Sequence, residues 1–72
     1  MIDDLKQRFL ELLEEDAAQA HKVAQEWEKL QKNGARLEDG NGKVIATAAE
    51  MVTRYRDREK EFRTLIAQIK AA

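Results

Sequence analysis

The chain has 72 residues, of which 38% are charged, and its formal net charge is −1. It contains no cysteine, which excludes disulfides and thiolate metal sites, and no stretch approaches the roughly 18 apolar residues of a membrane span. The balanced charge argues against a general polyanion binder, and we expect one small cytoplasmic domain whose core is marginal by itself.

The first predicted element is a long amphipathic helix over about residues 3–33. Its apolar residues fall within one stripe about 140° wide at ~100° per residue, with Leu10 just beyond the edge and Asp16 near the middle. Asn33-Gly34 predicts the end of the helix, because glycine adopts the left-handed conformation cheaply. The stripe comprises Ile2, Leu5, Phe9, Leu12, Leu13, Ala17, Ala20, Val23, Ala24, Trp27 and Leu30.

The connector at 34–42 is rich in turn signals. Asp39-Gly40 and Asn41-Gly42 could form a small β-hairpin, but a plain loop is the preferred interpretation because two strands alone are marginally stable. Two starts are possible for the second helix. Thr47 and Glu50 form a capping box that predicts a start at 48, whereas the heptad phase favours a start near 43.

The second predicted helix covers about residues 43–70 and carries an unbroken heptad pattern. We expect it to pack antiparallel on the first helix, which gives an all-α fold with a single helical-hairpin domain. Its apolar stripe is wider than one neighbouring helix can cover, so we expect a homodimer that forms a four-helix bundle. The seam residues are Ile45, Ala48, Val52, Tyr55, Glu59, Phe62, Ile66 and Ile69.

We expect the interface to combine residues from both helices. No serine or cysteine nucleophile and no phosphate-binding glycine motif is present, so we predict no enzyme activity and no cofactor. The predicted function is a small protein–protein interaction module, such as an adaptor, inhibitor or assembly factor. The predicted interface residues are Phe9, Leu12, Val23, Trp27, Ile45, Val52, Tyr55, Phe62, Ile66 and Ile69.

Two acids at predicted core positions, Asp16 and Glu59, suggest an alternative function. In a symmetric dimer they would become four inward carboxylates, which is part of the ligand set of di-iron or di-manganese bundles. The Glu-x-x-His part of that set is missing, and the single histidine, His21, falls roughly 140° around the helix from Asp16. Pairing with a nearby base, a position leaning to the rim, or burial that fixes the register explains the same two acids.

Two further patterns suggest ligands. The face with Arg54, Arg58 and Arg63 could contact nucleic-acid phosphates weakly, although interleaved acids make a solvated helix face the simpler interpretation. The stretch 39–44 resembles the middle of an EF-hand calcium loop. In that alignment, Leu37 and Ala48 stand where calcium needs Asp and Glu, so we expect a turn there rather than an ion site.

Overall fold

Two packed helices make up most of the fold. In the computed structural model, which describes residues 2–72, α1 is Ile2–Lys32, β1 is Arg36–Glu38, β2 is Val44–Thr47 and α2 is Ala48–Ala71. The helices run antiparallel, as shown by the ion pair of Lys70 with Glu14 at one end and of Arg56 with Glu28 towards the other. The predicted two-helix hairpin is confirmed. Within the described residues, neither helix is long and apolar enough to cross a membrane.

The end of α1 follows the sequence prediction. Gly34 has a φ of 70°, and its N–H donates to the Gln31 carbonyl while the Ala35 N–H donates to the Leu30 carbonyl, each at 3.0 Å. This pair of bonds is the Schellman motif, which satisfies carbonyls that the helix leaves free.

The connector forms a β-hairpin, so the preference for a plain loop is wrong. Leu37 pairs with Ala46 across the two strands, and the register shifts between Leu37 and Glu38. The Asp39 carboxylate stabilises the turn by accepting the backbone N–H groups of Asn41 at 2.8 Å and Lys43 at 3.0 Å. Ala46 is buried, so the hairpin has a packed apolar contact, which two isolated strands lack.

Helix α2 begins at Ala48, and the earlier start near 43 is wrong. The Thr47 hydroxyl accepts the Glu50 N–H at 3.2 Å, as the capping box predicts. Residues 44–47 form strand β2, so Ile45 fits the heptad spacing without belonging to the helix. The turn consequently centres near 41 rather than 38, and His21, not Asp16, lies opposite Glu59.

The contact between the helices depends on small residues. On α1 the buried positions are Leu10, Leu13, Ala17, Ala20 and Ala24, which follow a strict three-four spacing. This differs from the predicted stripe, because Leu10 lies in the core while Asp16 is exposed. Leu10, Leu13 and Ala17 cluster with Ile66, and Phe62 and Ile69 pack against them. Five of the nine buried residues in the described chain are alanines.

We predict that Gly34→Ala lowers the free energy of unfolding by about 1 kcal/mol or more, because an alanine is strained at positive φ. A Cβ would meet nothing within 4 Å at Gly34, so the loss reports conformation alone. Urea unfolding measures it. Gly40→Ala is the matched control, since Gly40 has equally open surroundings without a positive φ. Equal stability of the two variants would contradict this account of the helix end.

Candidate interaction site

Charged side chains cover one flank of the contact between the two helices. Arg56 donates from Nε to Glu28 at 3.1 Å and from Nη1 to Glu59 at 3.1 Å, so it bridges α1 and α2. Arg63 reaches the other Glu59 oxygen at 3.6 Å. Together with His21, these residues form the ion-pair flank. It holds the helices in register, although partly exposed pairs of this kind contribute little stability individually.

His21 lies between a donor and an acceptor in the ion-pair flank. Its Nδ1 is 2.9 Å from Arg56 Nη1 and 3.2 Å from a Glu59 oxygen. With a proton on Nδ1 the ring donates to Glu59, and without one it accepts from Arg56. Either tautomer gives Nδ1 one hydrogen-bond partner, and both partners belong to α2, so His21 links the two helices.

The surroundings of Glu59 shift its acidity. Partial burial of the carboxylate raises its pKa, but hydrogen bonds with His21 and Arg56 outweigh this effect and leave the pKa of Glu59 below its ordinary value. The hydrogen bond to Glu28 raises the pKa of Arg56. The charged forms of both residues are therefore favoured in the folded chain.

The opposite flank, which we call the open face, carries large apolar side chains. Its α1 stripe repeats at four-three spacing next to the alanine seam and contains Leu5, Phe9 and Leu12, which are 73%, 55% and 49% exposed. Its α2 stripe has the same spacing, with Leu65 45% exposed. Residues on the open face are Leu5, Phe9, Leu12, Asp16, Gln19 and Val23 of α1 with Tyr55, Arg58, Phe62, Leu65 and Ile69 of α2.

A shallow groove of about 250 Å³ lies midway along the open face, between the two stripes. Val23, Tyr55 and Phe62 supply apolar walls, while Asp16 and Arg58 place opposite charges at its rim. The Arg58 guanidinium lies 5.5 Å from the centre of the Tyr55 ring, a cation–π contact. Within residues 2–72, neither Asp16 nor Arg58 forms an ion pair, so both charges are available to a partner.

The structure separates the two acids that the sequence analysis grouped. Asp16 is exposed at the groove, whereas Glu59 belongs to the ion-pair flank on the other side of the seam. The two acids are apart because the register places His21 beside Glu59, and Asp16 lies roughly 140° around α1 from His21. Over residues 2–72, no three His, Cys, Asp or Glu side chains come together in a group that could hold a metal ion. The geometry thus gives the metal alternative no support.

The predicted interface residues are distributed over three environments. Phe9 and Leu12 are exposed on the open face, and Ile45 is exposed on β2. Ile66 is buried in the core. Those that are half-buried between core and surface are Val23, Trp27, Val52, Tyr55, Phe62 and Ile69. Leu5 and Leu65 are exposed on the open face but are absent from the predicted set, and their spacing of four to Phe9 and of three to Phe62 is the signal in the sequence that marks them.

The three arginines of the predicted nucleic-acid face do not share one face. Arg63 contacts Glu59 in the ion-pair flank, whereas Arg58 lies at the groove of the open face. Asp39, in the stretch that resembles a calcium loop, uses its carboxylate to accept backbone N–H groups of the turn. Neither feature gives its ligand alternative geometric support.

Comparison of the chain with protein-family models, curated proteins and solved structures found no match.

We predict that Glu59→Gln makes stability less sensitive to acid. A depressed carboxyl pKa stabilises the folded state fully above its ordinary value of 4.5, and that stabilisation is lost as the pH falls through the lower folded pKa. Thermal melts of the wild type and the variant between pH 7 and pH 2 should converge towards the acid end. Glu61→Gln is the control, because exposed Glu61 forms no ion pair with residues 2–72. A parallel pH dependence of Glu59→Gln and wild type would contradict the prediction.

Proposed function

We propose that the chain is a protein–protein interaction module that acts as a homodimer, with the open face as its interface. The observation that carries the proposal is the area left uncovered. A compact monomer of 8.3 kDa exposes about 4,600 Å² by the usual size relation, whereas this hairpin exposes 5680 Å². The excess is comparable to the roughly 800 Å² that each partner buries in a standard interface.

The shape of the hairpin supports the same proposal. The Cα radius of gyration is 16.1 Å, against about 11 Å for a compact chain of this length. The molecule measures 52 × 22 × 14 Å, which is one layer of helices. Domains ordinarily need two packed layers to enclose a core, and a second copy supplies the missing layer.

Leucine and phenylalanine side chains give the open face its driving force. Burying such a side chain stabilises by about 1.5–3 kcal/mol, and Leu5, Phe9, Leu12 and Leu65 are all roughly half exposed or more. Among the side chains that the structure describes, no large exposed apolar residue belongs to the ion-pair flank, so the open face is the flank suited to apolar contact. Two hairpins joined through their open faces make a four-helix bundle. The cytoplasmic location stays a prediction from the sequence.

We predict that Phe9→Glu weakens the dimer by at least about tenfold, because symmetry removes two phenylalanines from one interface and each, being 55% exposed in the hairpin, contributes about half of the roughly 1.5–3 kcal/mol of a fully buried side chain. Sedimentation equilibrium across micromolar concentrations measures the dissociation constant, and circular dichroism checks that helicity is retained. Ile45→Glu is the matched control: it makes the same charge change at a residue 61% exposed outside the open face. A wild-type chain that is a well-folded monomer at these concentrations would overturn the proposal, and equal weakening by both variants would remove the open face from it.

A further inference from the structure

We infer that Asn41, in the turn of the β-hairpin, is a site of spontaneous modification, at which the Asn41-Gly42 peptide closes to a succinimide and then hydrolyses to aspartate or isoaspartate. The same dipeptide occurs at Asn33-Gly34, and the fold directs the reaction to Asn41. Asn41 is not part of the open face, so its reaction does not require a dimer.

The reaction uses the backbone nitrogen that follows the asparagine. After hydroxide removes its proton, the Gly42 nitrogen attacks the side-chain carbonyl carbon of Asn41. The bond from that carbon to the amide nitrogen breaks, and the amide nitrogen takes up a proton and leaves as ammonia. Water then adds to either carbonyl of the five-membered ring, so the chain gains one carboxylate. Glycine favours the attack because no side chain shields its nitrogen and its backbone rotates readily.

The tip of the β-hairpin holds Asn41 through a single residue, Asp39. The Asp39 carbonyl accepts the Gly42 N–H at 3.1 Å, and the Asp39 carboxylate accepts the Asn41 N–H at 2.8 Å. Asn41 and Gly42 are exposed, and glycines lie on both sides of Asn41. Turning the Gly42 nitrogen towards the Asn41 side chain therefore breaks one hydrogen bond at the surface, which water replaces at little net cost.

The backbone around Asn33 is held more firmly. Gly34 belongs to the Schellman motif at the end of α1, and the carbonyl of the next residue, Ala35, accepts the Ala48 N–H at 3.3 Å. Ala48 is buried at the start of α2. Rotation at Asn33 would break the Schellman bond of Ala35 and its bond with Ala48 in addition to the bond of Gly34. Segments whose opening breaks more contacts open less often, so the fold protects Asn33.

Modification at Asn41 should loosen the β-hairpin. Isoaspartate adds one carbon to the backbone between the N–H groups of residue 41 and Lys43, which the Asp39 carboxylate accepts at 2.8 Å and 3.0 Å. The isoaspartate form, separated by chromatography, should therefore melt at a lower temperature than the wild type. Asn41→Asp is the matched control, because it adds the same charge without the extra backbone carbon. Equal melting temperatures of the isoaspartate form and Asn41→Asp would overturn this effect on the turn.

Trypsin tests the choice of site, because it separates the two asparagines into peptides 33–36 and 37–43. Modification raises the mass of a peptide by about 1 Da. In the folded chain at mildly alkaline pH, peptide 37–43 should convert at least about fivefold faster than 33–36, since the Asn33 site must break two further hydrogen bonds. Asn41→Gln should suppress conversion of 37–43, because glutamine must close a larger ring.

Guanidinium chloride separates the effect of the fold from that of the sequence. In the unfolded chain the two peptides should convert at similar rates, because both asparagines precede a glycine. Equal rates in the folded chain, faster conversion of 33–36, or no conversion of 37–43 would overturn the inference. A preference for 37–43 that persists undiminished in the denaturant would also overturn it, because the local sequence would then be the cause.

Discussion

The fold depends on a seam made largely of alanine. Ala17, Ala20 and Ala24 occupy the centre of α1's buried face, and Ala46 and Ala48 are buried where the connector meets α2. Each buried alanine removes little apolar area from water, so the contact between the helices is specific in register but modest in driving force. Leu10, Leu13, Met51 and Ile66 are buried in the same contact, whereas the other large apolar side chains of the two helices lie beside it on the flanks.

The two flanks are covered in different ways. On one, Arg56 bridges Glu28 and Glu59 while His21 links the same groups, so the polar atoms of the seam are satisfied within a single hairpin. On the other, Phe9 and Leu65 remain exposed, and the groove between the stripes brings Asp16 and Arg58 to its rim. A single layer of helices with one satisfied side and one apolar side has the form of half a bundle. This asymmetry is the physical basis of the proposed interaction function.

The β-hairpin sets which residues meet across the seam. Because Asp39 organises a turn centred near 41, the two helices are offset relative to a simple loop centred near 38. The offset places His21, rather than Asp16, beside Glu59, and it leaves Asp16 on the open face. A few hydrogen bonds at one end of the molecule thus determine that Glu59 is ion-paired inside the hairpin and that Asp16 stays exposed.

Local patterns in the sequence determined the two helices, the glycine that ends α1 and the Thr47 cap of α2, because each depends on residues within one or two turns of itself. Only the tertiary structure decided the strand pairing and the register between the helices. It also decided on which side of the seam Asp16 and Glu59 lie. Heptad spacing fits two adjacent stripes of α1 equally well, one with Leu10 and Leu13 and one with Phe9 and Leu12. Packing against α2 buries the stripe with Leu10 and Leu13, because the alanines that continue it allow the helices to approach closely. The stripe with Phe9 and Leu12 contains Asp16 and stays outside the core.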